Sequence, residues 1–262
     1  MRRKIFMVWA CFMLIIGAAL PLERACAETL PVLVIGSDEF EPYNYVGADG
    51  TRQGVDVELA TEALRRMGYT AEFRDIVWEN KDDYLEDGTV DCLWGSFSMN
   101  GREDNYTWAG PYLCSRQVVV TRVDSGIASL ADLEGKRIAV QATGKAEGVL
   151  IHGNDPRIPE VAAVYCFSTM DEVYASLRKN YVDAIAGHEN ALKAMMNDAP
   201  ESFVMLPEAL YVSQLGVAFR KGTHEELAAE LAQTLDEMRA DGTIAQILQK
   251  YGLDVNTALG VE

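Results

Sequence analysis

The chain has 262 residues, with 40 acidic side chains against 23 basic ones and a formal net charge of −17. So acidic a polypeptide is repelled by phosphate backbones and anionic lipid surfaces, which removes nucleic acid from the partners to consider. Its length suits one large domain or two of moderate size.

The first residues read as an export signal. Arg2, Arg3 and Lys4 precede an apolar run from Ile5 to Leu20, followed by Pro21 and the small-residue triplet Ala25-Cys26-Ala27. A basic start, a short apolar core and an A-x-A site describe a signal peptide cleaved after Ala27. An uncleaved anchor is the rival reading, but the run falls short of the roughly 20 residues a spanning helix needs. Lipid attachment at Cys26 is a third, disfavoured by Glu23 and Arg24 just upstream. No later segment is apolar enough to span a bilayer, so the mature protein is expected to be soluble, outside the cytoplasm and monomeric. Cys11 and Cys26 would leave with the signal. Cys92, Cys114 and Cys166 remain, either as one disulfide plus a free thiol or as three buried thiols. Their spacing suggests neither metal nor redox work, and no cofactor is expected.

Next come alternating strand and helix patterns. Pro31–Gly36 reads as a buried strand. Gly54–Met67 reads as a helix with Ala60, Ala63, Leu64 and Met67 on one apolar face, stopped by Gly68. Ala71–Ile76, a short acidic helix over Lys81–Asp87 and a strand over Val90–Ser96 complete a βαβαβ series, which calls for a parallel sheet with helices on its faces. The pattern restarts with Leu113–Thr121, a turn over Leu130–Leu133, and a strand at Arg137–Gln141 with a helix from near Gly144. Val161–Cys166 precedes a helix opened by the capping box Thr169-x-x-Glu172 and running to Lys179. Val182–Ala186 and a helix over about 188–196 follow. After Leu215–Phe219 a second capping box, Thr223-x-x-Glu226, opens the first of two final helices, 225–240 and 242–251. Leu227, Leu231 and Leu235 form a core-facing stripe on that helix.

Several segments together resemble the family-3 periplasmic solute-binding proteins, the amino-acid receptors of ABC importers. They are Ser37-Asp-Glu-Phe-Glu-Pro-Tyr-Asn-Tyr45, Gly54-Val-Asp-Val-Glu-Leu-Ala60, Val90-Asp-Cys-Leu-Trp-Gly95 with Arg102, and Tyr106-Thr-Trp-Ala-Gly-Pro-Tyr112. The likeness resumes at Asp132–Val140, Tyr181-Val-Asp-Ala-Ile185, Leu215–Gly222 and Asp241-Gly-Thr through Gly252. The resemblance implies an α/β protein of the type II periplasmic-binding fold, with two lobes, each a mostly parallel sheet flanked by helices. Lobe 1 would comprise residues 28–112 and 216–262, lobe 2 residues 116–212, with hinge segments near 113–115 and 213–215. It also implies a membrane permease as partner, reached when the lobes close on a ligand by hinge bending.

The same resemblance distributes roles over the cleft. Phe40, Tyr43 and Trp78 would form an aromatic clamp, offering rigid faces and a cation–π attraction toward an ammonium. Arg102 would grip the ligand carboxylate with its guanidinium fork. Ser96 and Ser98 flank a position where family members carry a hydroxyl and this chain carries Phe97. The family's acid for the ligand amino group falls on His188, with Glu189 beside it. Histidine supplies no fixed negative charge, so either Glu189 takes over or the ligand is not an ordinary α-amino acid. Around Thr143 and Gly144 a loop leads into a helix N-terminus, a ready anion site that Lys145 could reinforce. No metal-binding, P-loop, dinucleotide or serine-hydrolase motif occurs. Two other functions remain open: a cleft enzyme of lyase or dehydratase type using Glu189 and His188, and a ligand-loaded partner of a separate sensor. Because the chain stops at Glu262 without a further membrane helix, a covalent receptor is not expected.

Overall fold

The computed structural model describes residues 29–260; the signal-peptide reading, with Cys11 and Cys26, lies outside the described residues. The first half of the chain contains β1 (Val32–Ser37), β2 (Tyr45–Val46), β3 (Arg52–Gln53), α1 (Val55–Arg66), β4 (Thr70–Asp75), α2 (Lys81–Glu86), β5 (Cys92–Leu93) and β6 (Tyr106–Arg122). Then come β7 (Arg137–Gln141), α3 (Lys145–His152), β8 (Ala163–Phe167), α4 (Met170–Arg178), β9 (Ala184–His188) and α5 (Glu189–Asn197). The chain closes with β10 (Phe203–Met205), β11 (Tyr211–Arg220), α6 (Glu225–Ala240), α7 (Thr243–Lys250) and α8 (Val255–Leu259).

Strand order along the sheet is β4-β1-β5-β11-β6-β9-β7-β8, with β10 beside β6. β1 runs parallel to β4 and β5 at one end, and β7 runs parallel to β8 and β9 at the other. Short parallel strands joined through helices need both faces covered, and α1 and α4 do this with Leu59, Ala63, Leu64, Val173 and Leu177, all fully buried. Between these parallel ends, β6 and β11 cross as a long antiparallel pair. The result is the expected α/β fold of two lobes, each with its mostly parallel sheet.

β6 is longer than the expected strand over 113–121 and runs on through Gly110-Pro111. This dipeptide is absorbed by a register shift: Leu215 pairs with Leu113 but Val217 with Ala109, so Gly110, Pro111 and Tyr112 stand opposite Gly216. A bulge leaves Pro111 without a ladder bond to make, which is where a strand tolerates proline. Gly216 is needed there. A Cβ on it would sit 2.5 Å from Met99 Sδ and 3.0 Å from the Trp108 ring.

Other differences are local. The strand expected over 90–96 is only β5, because Ser96 turns into the left-handed region (φ 52°) and the backbone leaves the sheet. Thr169 and Glu172 form the expected capping box of α4. The second box does not form: Thr223 spends its hydroxyl on the Arg220 carbonyl (2.7 Å), and α6 begins from His224 without a side-chain cap. β2, β3, β10 and α8 were not foreseen. Cys92, Cys114 and Cys166 are all free, and Cys166 is exposed rather than buried.

Candidate functional site

The cleft between the lobes is assembled from chain segments that leave the sheet. Just past β1, Asn44 donates to the Asp38 carbonyl (2.7 Å), and the backbone N–H groups of Tyr43 and Asn44 both donate to the Phe40 carbonyl (2.8 and 3.0 Å). This tight turn sets Phe40 in the cleft. After β5 the buried carboxylate of Asp56, in the first turn of α1, accepts the Ser96 N–H (2.7 Å), the Ser96 hydroxyl (3.2 Å) and the Tyr112 hydroxyl (2.9 Å). Burial pushes Asp56 up to about 7 even so. Gly216 N–H donates to the Phe97 carbonyl (3.0 Å) and Met99 N–H to the Gln214 carbonyl (2.8 Å), so Phe97–Met99 is pinned against β11.

Phe40, Trp78, Ser96, Phe97, Ser98, Arg102, Thr143, Gly144 and His188 line one cavity, together with Asp38, Gln117, Gln141 and Lys145. Its free space is about 40 Å³. That holds a few water molecules; an amino acid needs the walls to part. Asp38, Phe40, Trp78 and Met170 are shared with a broad groove of about 970 Å³, which opens the cavity to one side.

Polar bonds cross the cleft and hold it closed. Arg102 donates to the carbonyls of Thr143 (2.9 Å) and Gly144 (3.4 Å), as well as to Ser98 (3.2 Å). Lys81 donates to the Thr143 hydroxyl (2.9 Å), Lys145 to the Asn100 carbonyl (2.9 Å) and Gln141 to Asp38 (2.5 Å). Burial of Asp38 raises its carboxyl to about 6, with the Gln141 bond pulling the other way. At the loop before α3, the Thr143 N–H is taken by Glu147, so that backbone donor already has an anionic partner.

Phe97 stands at the centre of an aromatic cluster, with ring centroids of Trp78, Tyr106 and Trp108 at 5.1, 5.3 and 5.2 Å. Lys81 and Arg102 both lie over its ring, at 5.6 and 5.2 Å from the centroid. Phe40 meets His188 edge-on at 5.6 Å. Tyr43 sits behind Phe40 at 6.0 Å, is fully buried, and receives a bond from Asn190 (3.1 Å). It does not reach the cavity wall.

His188 ends β9, and the strand register sets its neighbours. Gln117 of β6 pairs with His188, and Ser115 of β6 pairs with Ser213 of β11. Gln117 Nε2 lies 3.0 Å from His188 Nε2 and 3.1 Å from Ser213 Oγ, while His188 Nδ1 lies 2.9 Å from Ser115 Oγ. With the Gln117 amide donating to Nε2, the proton of the neutral ring belongs on Nδ1. Burial, aided by the positive charge of Arg102, lowers His188 to about 4. Glu189 does not take the role the sequence offered it. Its carboxylate pairs with Lys193 (2.8 Å) and Arg116 (3.3 Å), outside the cavity. Nor do Glu189 and His188 converge as an acid–base pair.

Asp38, Gln117 and Gln141 are cavity residues that the sequence reading does not single out. Asp38 lies inside a segment that carried the family resemblance, so its position was available. Lys81, at the start of the short acidic helix, is buried and bonds the Thr143 hydroxyl without lining the cavity. Among the described residues no cluster of His, Cys, Asp or Glu is arranged to hold a metal, and no helix is long and apolar enough to cross a membrane.

The model of the bacterial extracellular solute-binding proteins, family 3, matches residues 33–254. The L-cystine-binding protein TcyA of Bacillus subtilis (strain 168) is 29% identical over 240 residues, covering 86% of this chain and 83% of the relative. The L-cystine-binding protein TcyJ of Escherichia coli (strain K12) is 26% identical, covering 85% and 84%. A solved structure bound to L-arginine superposes with a TM-score of 0.77 at 28% identity, covering 84% of this chain and 90% of its own. An ancestral amino-acid-binding protein described as a precursor of cyclohexadienyl dehydratase matches at TM-score 0.74 and 22% identity, a likeness of fold alone.

Proposed function

The chain belongs to the bacterial extracellular solute-binding proteins of family 3, and on that premise we propose that it captures a small carboxylate-bearing molecule, an amino acid or a derivative of one, between its lobes. The observation that carries this reading is Arg102: a half-buried guanidinium in the cavity wall with only carbonyl oxygens as hydrogen-bond partners. A ligand carboxylate arriving there exchanges neutral acceptors for a charged one, with two parallel bonds. Phe40 and Trp78 flank the ligand body, Ser96, Phe97, Ser98, Thr143 and Gly144 complete the wall, and Asp38 rather than Glu189 meets an amino group. His188 and Gln117 contribute neutral hydrogen bonds.

The lobes comprise residues 28–112 with 216–262, and residues 116–212. Hinge segments near 113–115 and 213–215 run through β6 and β11, beside the bulge that interrupts their pairing. The bonds across the cleft favour the closed state that a membrane permease reads. Export by a cleaved signal to the periplasm, a monomeric state, delivery to an ABC importer and binding without turnover complete the reading. A thermal-shift screen of refolded, ligand-stripped mature protein tests it. Ligand at 100 times its dissociation constant adds about 2.7 kcal/mol, a shift of several degrees for a chain this size, and carboxylate-bearing compounds should dominate the hits. Hits confined to compounds without a carboxylate would sink it.

A further inference from the structure

The cavity at Arg102 and the groove beside it differ greatly in size. About 40 Å³ is free in the first and about 970 Å³ in the second, and Asp38, Phe40, Trp78 and Met170 belong to the walls of both. A molecule whose carboxylate sits at Arg102 therefore has the groove in which to extend. Past Phe40 and Trp78 that space is walled by Glu39, Glu41 and Tyr45 on one side and by Asp171 and Tyr174 of α4 on the other.

The charge left free in the groove has one sign. Its three basic side chains are already paired within the protein: Arg178 with Asp198 (3.2 Å), Lys193 with Glu189 (2.8 Å) and Lys250 with Glu58 (2.5 Å). Among the described residues Glu39, Glu41 and Asp171 have neither an ion pair nor a side-chain hydrogen bond, and all three are exposed. Asp38, at the junction, gives Oδ2 to Gln141 and leaves Oδ1 without a partner among them. Acids from both walls act on one ring. Burial raises the Tyr174 phenol, and the charges of Asp171, Glu41 and Asp38 push it the same way, against Arg178.

Aromatic rings complete the lining, Phe40 and Trp78 at the junction, Tyr45 and Tyr174 beyond it. Rings beside unpaired carboxylates suit a cation, which is attracted by the ring faces and by the acids together. A second carboxylate would meet bases whose charge is already spent and acids that repel it.

We propose that the ligand carries a positive charge at the end of an extended chain, with its carboxylate at Arg102 and its cationic group in the groove between Glu41 and Asp171. The substrate class is a basic amino acid or a derivative of one. The inference rests on the ligand-capture reading above and narrows it. Glu41 and Asp171 repel each other across an empty groove, and a cation between them attracts both, so closing this side of the cleft depends on the ligand.

The test uses refolded, ligand-stripped mature protein and compounds that differ chiefly in the distal charge: arginine against citrulline, and lysine against its Nε-acetyl derivative. In isothermal titration at least one cationic member should bind about tenfold or more tightly than its neutral partner, the scale of a hydrogen bond between charged groups. Glu41→Gln combined with Asp171→Asn should cut that preference to less than about threefold. Because both side chains are exposed, the melting temperature of the variant should stay near that of the parent. A preference that survives the double substitution places the cation elsewhere and overturns the proposal. Neutral members binding as tightly as their cationic partners would overturn it too, while leaving the capture reading intact. Hits confined to compounds without a carboxylate would overturn both.

Discussion

The guanidinium of Arg102 lies 2.9 Å from the carbonyl oxygen of Thr143, across the cleft from its own lobe. The group that the family resemblance reserves for a ligand carboxylate thus doubles as a latch between lobes. In Arg102→Ala both roles vanish. We expect carboxylate binding to weaken by about 2–5 kcal/mol, the usual cost of truncating one partner of a buried charged contact, with far-UV circular dichroism unchanged. Titration calorimetry reads the first and spectroscopy the second; unaltered affinity would remove the carboxylate assignment.

Glu189 gives the contrasting case. Its carboxylate is held by Lys193 and Arg116 away from the cavity. Glu189→Gln should therefore change ligand affinity by less than about 1 kcal/mol, the scale of an ordinary partly exposed ion pair. A loss comparable to that of Arg102→Ala would return Glu189 to the binding site.

His188 should remain neutral throughout the pH range in which the protein works. Its folded pKa, about 4, is below the ordinary value of 6.5. Between those values the unfolded chain binds more protons than the folded one, so stability is present above 6.5 and lost as pH falls toward 4. His188→Gln should lose less stability than the parent when acidified from pH 7 to pH 5, measured by urea unfolding. His188 imidazole resonances that shift near pH 6.5 would contradict the burial argument.

Asp56 carries the opposite sign. Its carboxyl is raised from 3.8 to about 7, so the folded state holds the proton that the unfolded state releases. Its contribution is fully present below 3.8 and lost as pH rises through 7. Asp56→Asn keeps a group able to accept the Ser96 N–H, and it should flatten this dependence, making the variant gain less stability than the parent on acidification. Urea titrations at pH 7 and pH 5 check the direction. Because Ser96 turns the backbone into the cavity, Asp56→Ala should in addition weaken ligand binding.

Much of the architecture was legible in the chain. Amphipathic period and the Gly68 stop located α1 within a residue, and α6 and α7 lie within a residue of the helices expected over 225–240 and 242–251, since helix patterns are local and their buried faces repeat along the sequence. The order of motifs gave the family and with it Arg102, Phe40 and Trp78. What sequence could not carry was pairing between distant residues. His188 is neutral because it is buried beside the charge of Arg102, and strand register sets Gln117 against it. Glu189 is unavailable because Arg116 and Lys193 hold it, and the buried Lys81 bonds the hydroxyl of Thr143, which lies 62 positions further on. Local chemistry is written in the residues themselves. Charge compensation in a buried cleft is a property of three-dimensional neighbours, which only the folded chain determines.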